Sequence, residues 1–202
     1  MKKVSLVIFL CIFEFFSQSA LAFRDGQMSA GAGYYSQNIM SKTAQADTGK
    51  TGFLGEANYP FLFKYDSSIF SDWFLTSQFT YTLLPRSTPG DRAKVTLMHL
   101  MFQFGQNFDA SNWSWNVGPG YLQQTIKGSG GTVELNNGTA TAQFAVPGRD
   151  SQITQITVNV GTTWTLDPHQ VALDLITENF FSNTKRAHSL MLSYTYIIGS
   201  SF

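Results

Sequence analysis

Residues 187–202 read AHSLMLSYTYIIGSSF, without a single Asp, Glu, Lys or Arg. Leu190, Leu192, Tyr194, Tyr196, Ile198 and Phe202 share one parity; Ser193, Thr195, Gly199 and Ser201 share the other. Met191 and Ile197 break the pattern. A period of two is that of a β-strand. A soluble sheet would put Lys and Glu on its solvent face, yet here the second face carries uncharged hydrogen-bonding groups. An apolar face outward and a polar face inward is the pattern of a barrel wall in lipid.

The same pattern recurs upstream. No charge occurs in 26–41, 73–85, 95–108, 110–126 or 151–166. Each stretch can hold the roughly 9–11 residues of a tilted strand crossing a bilayer. Trp73, Leu75, Phe79, Tyr81 and Leu83 alternate with Thr76, Gln78, Thr80 and Thr82. Ile156, Val158, Val160, Trp164 and Leu166 do so against Gln155, Thr157, Asn159 and Thr163. Charged residues are 13% of the chain and aromatics 15%, and the charges gather in connections rich in Gly, Pro, Asn, Ser and Asp. Only Glu56, Asp174 and Glu178 fall inside the strand-like windows, with Lys94 at an edge.

The expected fold is all-β, a transmembrane antiparallel up-and-down β-barrel. Its eight strands cover about 27–39, 52–63, 73–84, 94–104, 113–126, 153–166, 171–182 and 188–202. An even count returns both termini to the periplasm and places the longest connections, 40–51 and 127–152, outside. Asn136-Asn137-Gly138 is a hairpin signal and reads as a protrusion between the fifth and sixth strands; ten membrane strands is the alternative. Trp73, Trp113, Trp115 and Trp164 then lie at the periplasmic rim, where indole favours the headgroup level. Tyr81, Tyr121, Phe53 and Phe181 fall nearer the opposite rim. The closed sheet is required because an unpaired backbone group in hydrocarbon costs several kcal/mol.

The front end is an export signal. Lys2 and Lys3 precede an apolar run ending at Ala20-Leu21-Ala22, so 1–22 reads as a cleaved signal peptide and 23–202 as the barrel domain. The single cysteine, Cys11, leaves with the signal, which excludes disulfides, thiolate metal sites and cysteine nucleophiles. Without Lys2, Lys3 and Glu14, the 13 basic and 13 acidic residues become 11 and 12, a net charge of −1. That balance excludes a dedicated nucleic-acid binder. No metal or cofactor is expected.

With these features the chain resembles the small outer-membrane barrels of the OmpA and OmpX type over its whole mature length. The most specific feature is the final strand. Phe202 with Ile198, Tyr196 and Tyr194 before it resembles the C-terminal signal read by the outer-membrane assembly machinery, although Ser200 departs from the usual large residue. The resemblance implies a bacterial outer-membrane location, lipid and lipopolysaccharide as neighbours, and a structural or surface-interacting role. No peptidoglycan-binding domain is expected after the barrel.

Candidate sites follow from parity and charge. Glu56, Asp174 and Glu178 share the polar parity of their strands, and His99 joins them if Leu100, Phe102 and Phe104 face lipid. This lumen cluster reads either as a proton- or cation-attracting site or as a polar plug, since eight strands leave room for side chains but hardly for a channel. The outer connections carry Lys42, Lys50, Arg86, Arg92, Lys94, Lys127, Arg149, Lys185 and Arg186 against Asp47, Asp91, Glu134 and Asp150, a net of +5. The periplasmic side carries Arg24 and Lys64 against Asp25, Asp66, Asp72, Asp109 and Asp167, a net of −3. A basic outer rim suits lipopolysaccharide phosphates.

Three functions compete. The first is a non-catalytic barrel that presents 40–51 and 127–152 to surface partners. The second is a narrow transporter for a small or apolar solute. The third, a lipid A acyl hydrolase using His188, Ser189 and Glu178, fails on geometry: adjacent strand residues point to opposite faces.

Overall fold

The computed structural model describes residues 26–37, 56–69, 72–87, 93–108, 112–136, 141–145, 151–184 and 186–201. Phe53 and Phe202 lie outside them. The strands are β1 (Gly26–Gln37), β2 (Glu56–Asn58), β3 (Pro60–Ser68), β4 (Trp73–Thr82), β5 (Arg86–Ser87), β6 (Ala93–Asn107), β7 (Trp113–Gly128), β8 (Thr132–Asn136), β9 (Thr141–Ala145), β10 (Ser151–Leu166), β11 (His169–Glu178) and β12 (Ala187–Ser201). β2 and β3 form one wall strand interrupted at Tyr59, both pairing with β1. β4, β6, β7, β10, β11 and β12 follow in antiparallel order, and β12 pairs back onto β1. The wall is therefore a closed barrel of eight strands, which leaves no sheet edge in hydrocarbon. β5 pairs with the outer end of β6.

β8 and β9 form a separate two-stranded sheet. The hairpin signal thus produces a protrusion, and the wall has eight strands, not ten. β7 and β10 are 16 residues each, longer than the roughly 9–11 a crossing needs.

Tilt follows from the register. Directly paired residues run Ser68, Phe74, Gly105, Asn116, Gly161, Asp174, Met191, Tyr35 and Asn58 around the wall. The circuit returns to the β2–β3 strand ten residues from its start, from Ser68 to Asn58. Closing a sheet requires such a stagger. Each lateral step in this direction climbs from the periplasmic end towards the outer end. Two glycines permit the tightest approaches. A Cβ on Gly31 would collide with the Tyr194 carbonyl, and one on Gly118 with the Phe102 carbonyl.

The two faces separate as the alternation predicts. Leu192, Tyr194, Tyr196 and Ile198 are exposed on the exterior, as are Phe79, Tyr81, Ile156, Val160 and Trp164. Thr76, Gln78, Thr80, Thr82, Thr157, Asn159, Thr163, Ser193 and Thr195 are buried inside. Met191 and Ile197, which break the pattern in the last strand, are buried on the inner face. Above Tyr121 and Ile156 the exterior turns polar, with Gln123, Thr125 and Lys127 on β7 and Thr154 and Gln152 on β10. That transition marks the outer limit of the hydrocarbon band. At the other limit Trp113 stacks on Trp164 at 6.2 Å, and Trp73 packs against Phe104 at 4.7 Å and edge-on to Trp115 at 5.9 Å. The four tryptophans form one belt along the periplasmic rim.

The second wall strand departs from expectation. It continues to Ser68, not to 63, so Lys64 and Asp66 belong to the wall and not to a periplasmic turn. Phe61 and Phe63 face out, while Leu62 and Lys64 are buried. The strand continues because Lys64 and Asp66 are two residues apart on one face and neutralise each other.

Candidate functional site

The lumen holds the charged residues of the wall, and it is layered. In the periplasmic half the Lys64 ammonium lies 3.0 Å from Asp66 Oδ2, with both side chains largely buried. Thr76 Oγ1 donates to Asp66 Oδ1. Across the lumen, Gln103 Nε2 donates to Asp174 Oδ1 at 3.1 Å and to Asn116 Oδ1 at 3.2 Å. Lys64 is close enough for its charge to act on Asp174 as well. Lys64 pairs directly with Asp66, a far cheaper arrangement than leaving that carboxylate unpaired, while Asp174 is held by the Gln103 amide.

A second polar group occupies the outer half. Glu178 Oε1 accepts from Ser189 Oγ at 2.6 Å and from Tyr35 Oη at 3.0 Å. His99 Nε2 lies 2.9 Å from Thr157 Oγ1, and the His99 ring packs edge-on to Tyr35 at 6.5 Å. Tyr35 thus links the histidine to the carboxylate.

Between the two groups lie Leu62, Met101, Ile176 and Met191, with Gln78 opposite Met101 and Asn159 opposite Ile176. These four belong to a fully buried cluster that continues outward through Tyr35, Leu122, which is opposite His99, and Leu97. The strand period shows how it divides the lumen. On β11, Ile176 separates Asp174 from Glu178; on β6, Met101 separates Gln103 from His99. On β3, Leu62 lies just outward of Lys64, and on β12 Met191 lies just below Ser189.

The expected lumen cluster is therefore two groups with Leu62, Met101, Ile176 and Met191 between them. Asp174, Glu178 and His99 are all buried on the inner face, but Asp174 belongs to the lower group and the other two to the upper. Glu56 sits opposite Gln37 in the β1–β2 register. Sequence reasoning did not place Lys64, Asp66, Tyr35, Ser189, Gln103 or Asn116 in the lumen site. A Lys-x-Asp pair inside an alternating strand was the signal available for the first two.

Removing one donor to Glu178 should be costly because the acceptor is buried. Tyr35→Phe is expected to lower stability by about 1.5–3 kcal/mol, the range for hydrogen bonds to charged groups. Urea titration of the barrel in lipid vesicles measures it, and an unchanged midpoint would show that the bond carries no net stability.

The remaining candidates are dispersed. Ser189 points into the lumen towards Glu178, whereas His188 faces out, its Nδ1 3.3 Å from Thr177 Oγ1. Histidine and serine lie on opposite sides of the wall, so no His-Ser-Glu triad is assembled. His169 Nδ1 meets Tyr194 Oη at 2.7 Å on the periplasmic exterior. Of the basic rim, Lys127 and Arg186 are exposed. Arg186 donates to the Phe180 carbonyl at 2.9 Å and to Asn183 Oδ1 at 3.1 Å, and covers the Phe180 ring. Arg86 is placed in β5 by its backbone. Lys42, Lys50, Arg92, Arg149 and Lys185 lie outside the described residues. Among the described residues no three His, Cys, Asp or Glu side chains are grouped as a metal site.

No protein-family model matches the chain, and no curated protein matches it. Among solved structures it is similar to the attachment invasion locus protein Ail of Yersinia pestis, with 11% identity, a TM-score of 0.45, and coverage of 87% of this chain and 99% of that one. Neisserial surface protein A is similar at 11% identity and a TM-score of 0.47, covering 88% and 97%. The N-terminal barrel of Pseudomonas aeruginosa OprF gives 8% identity and a TM-score of 0.45, covering 87% and 98%. At these values the likeness adds nothing to what the chain's own geometry gives. An antiparallel wall of eight strands, closed on itself and faced with hydrocarbon side chains, makes this chain a small transmembrane β-barrel of the bacterial outer membrane.

Proposed function

We propose that the barrel is a non-catalytic anchor that presents its outer connections, 40–51 and 127–152, at the cell surface. The observation that carries this reading is the mismatch between wall and lumen. β7 and β10 outrun the hydrocarbon band and bear the β8–β9 hairpin, while the lumen beneath is filled by buried side chains. Such a barrel invests its length in what stands above the membrane, not in a conduit through it. The phosphates of lipopolysaccharide in the outer leaflet are partners that the basic rim suits, through Lys127, Arg186, Arg86, Lys42, Lys50, Arg92, Arg149 and Lys185. Export through a cleaved signal at 1–22 and insertion by the outer-membrane assembly machinery complete the reading.

The test replaces residues 129–149 by a short Asn-Gly turn joining β7 to β10. The shortened barrel is expected to keep heat-modifiable gel mobility and to stay electrically silent in planar bilayers. It should lose most of the parent's retention on immobilised lipopolysaccharide at low salt. Failure of the shortened barrel to fold would mean that the hairpin serves the wall, and unchanged retention would mean that it is not the contact surface. Discrete openings abolished by Asp174→Asn would replace display with transport.

A further inference from the structure

Among the described residues eight buried side-chain polar atoms have no hydrogen-bond partner; Ser36 Oγ, Ser67 Oγ and Thr163 Oγ1 are scattered, and the other five, Gln37 Nε2, Asn58 Oδ1, Thr82 Oγ1, His99 Nδ1 and Gln155 Oε1, gather together. They come from β1, β2, β4, β6 and β10, yet all lie in the outer half of the lumen. Gln37, Asn58, Thr82 and His99 are each at least nine-tenths buried. The neighbourhood is continuous. Asn58 is paired with Tyr35 across the β1–β2 ladder and donates to Gln37 Oε1 at 3.4 Å. Thr82 lies opposite Pro60, two residues from Asn58. Tyr35 reaches Glu178 and flanks His99, and Gln155 is the next inner-face residue above Thr157. Leaving a polar group buried and unpaired is costly, so five in one layer describe a surface prepared for something that binds there.

We infer that this layer is a binding site for a small protonated amine, closed below by the inner part of the apolar cluster. Three observations select the chemistry. Acceptors predominate, because two of the unpartnered atoms are amide oxygens and Glu178 supplies a carboxylate. The Thr82 hydroxyl and His99 Nδ1 can serve in either sense. The lysine nearest the layer among the described side chains, Lys64, is engaged with Asp66 below it. A donor-rich cation balances Glu178 and satisfies the carbonyl oxygens, while Gln37 Nε2 can donate to a hydroxyl on the same ligand. Size is set by the wall, for eight strands leave space for at most one small ligand. Ile176, Met191, Leu62 and Met101 floor the site, so it binds without passing its ligand on.

This site is separate from the surface-display reading, since removing the hairpin leaves every residue of it in place. The experiment follows the side-chain amide resonances of Gln37, Asn58 and Gln155 in the folded barrel by NMR, while ammonium or ethanolamine is added at constant ionic strength. Saturable shifts are expected for both, larger for ethanolamine, and none for tetramethylammonium, which has the charge but no N–H donors. Glu178→Gln, checked for folding by heat-modifiable mobility, is expected to weaken binding at least tenfold. Thr82→Val, which removes an unpartnered hydroxyl and should fold normally, is expected to weaken it several-fold. Shifts that rise linearly without saturation, that tetramethylammonium reproduces, or that survive both substitutions would overturn the assignment and leave only water in the layer.

Discussion

Arginine placed at Val160 or Leu192 is expected to cost about 2–4 kcal/mol of folding stability in lipid vesicles, whereas arginine at Thr154 should cost roughly 0–1 kcal/mol. Val160 and Leu192 are 52% and 49% exposed on the exterior of β10 and β12. Thr154 is exposed on the same exterior parity, two residues outward of Ile156. All three positions are open, so ordinary surface accessibility predicts no difference between them. Hydrocarbon around the first two and water around the third predicts a large one. Urea titration with heat-modifiable mobility as the readout resolves the contrast. Equal costs at the three positions would remove the hydrophobic band from this barrel.

Lys64→Met is expected to be the most damaging change in the lumen, at about 3–5 kcal/mol, because it strands buried carboxylates without their cation. Asp66 loses the contact at 3.0 Å, and Asp174 loses the charge acting on it across the lumen. The double variant Lys64→Met with Asp66→Asn should recover a large part of the loss, since replacing both members of a buried pair is often close to neutral. The same urea titrations provide the double-mutant cycle. Costs that simply add would mean that the two residues do not interact.

The exterior of this barrel was legible in the sequence, and the interior only in part. Lipid disfavours polar side chains at mid-depth, so within the hydrocarbon band the outward positions of β4, β10 and β12 are apolar except Ser77 and Thr162, and their parity is plain. The inner face obeys a weaker rule. A narrow lumen is a packed core, which accepts Thr76 and Asn159 but equally Met191, Ile197 and Leu62, so inner residues read as exceptions or as noise. The second strand shows what this costs. Lys64 and Asp66 look like a solvated turn, and nothing in the linear order reveals that Asp174, more than a hundred residues later, also meets the field of that lysine. The layered arrangement of Glu178, Tyr35 and His99 was unreadable for the same reason. It depends on a stagger of ten residues around the wall, a property of closure and not of any single strand.

The seam between β1 and β12 has a consequence for timing. Gly26 pairs with Ser201, 175 positions along the chain, so the first strand has no lasting neighbour on that side until the last one arrives. Until then both strands present unsatisfied backbone, an invitation to mispairing. Contacts this distant along a chain also form slowly. Until that closure the polypeptide is unfinished, with two sticky borders to be shielded at once.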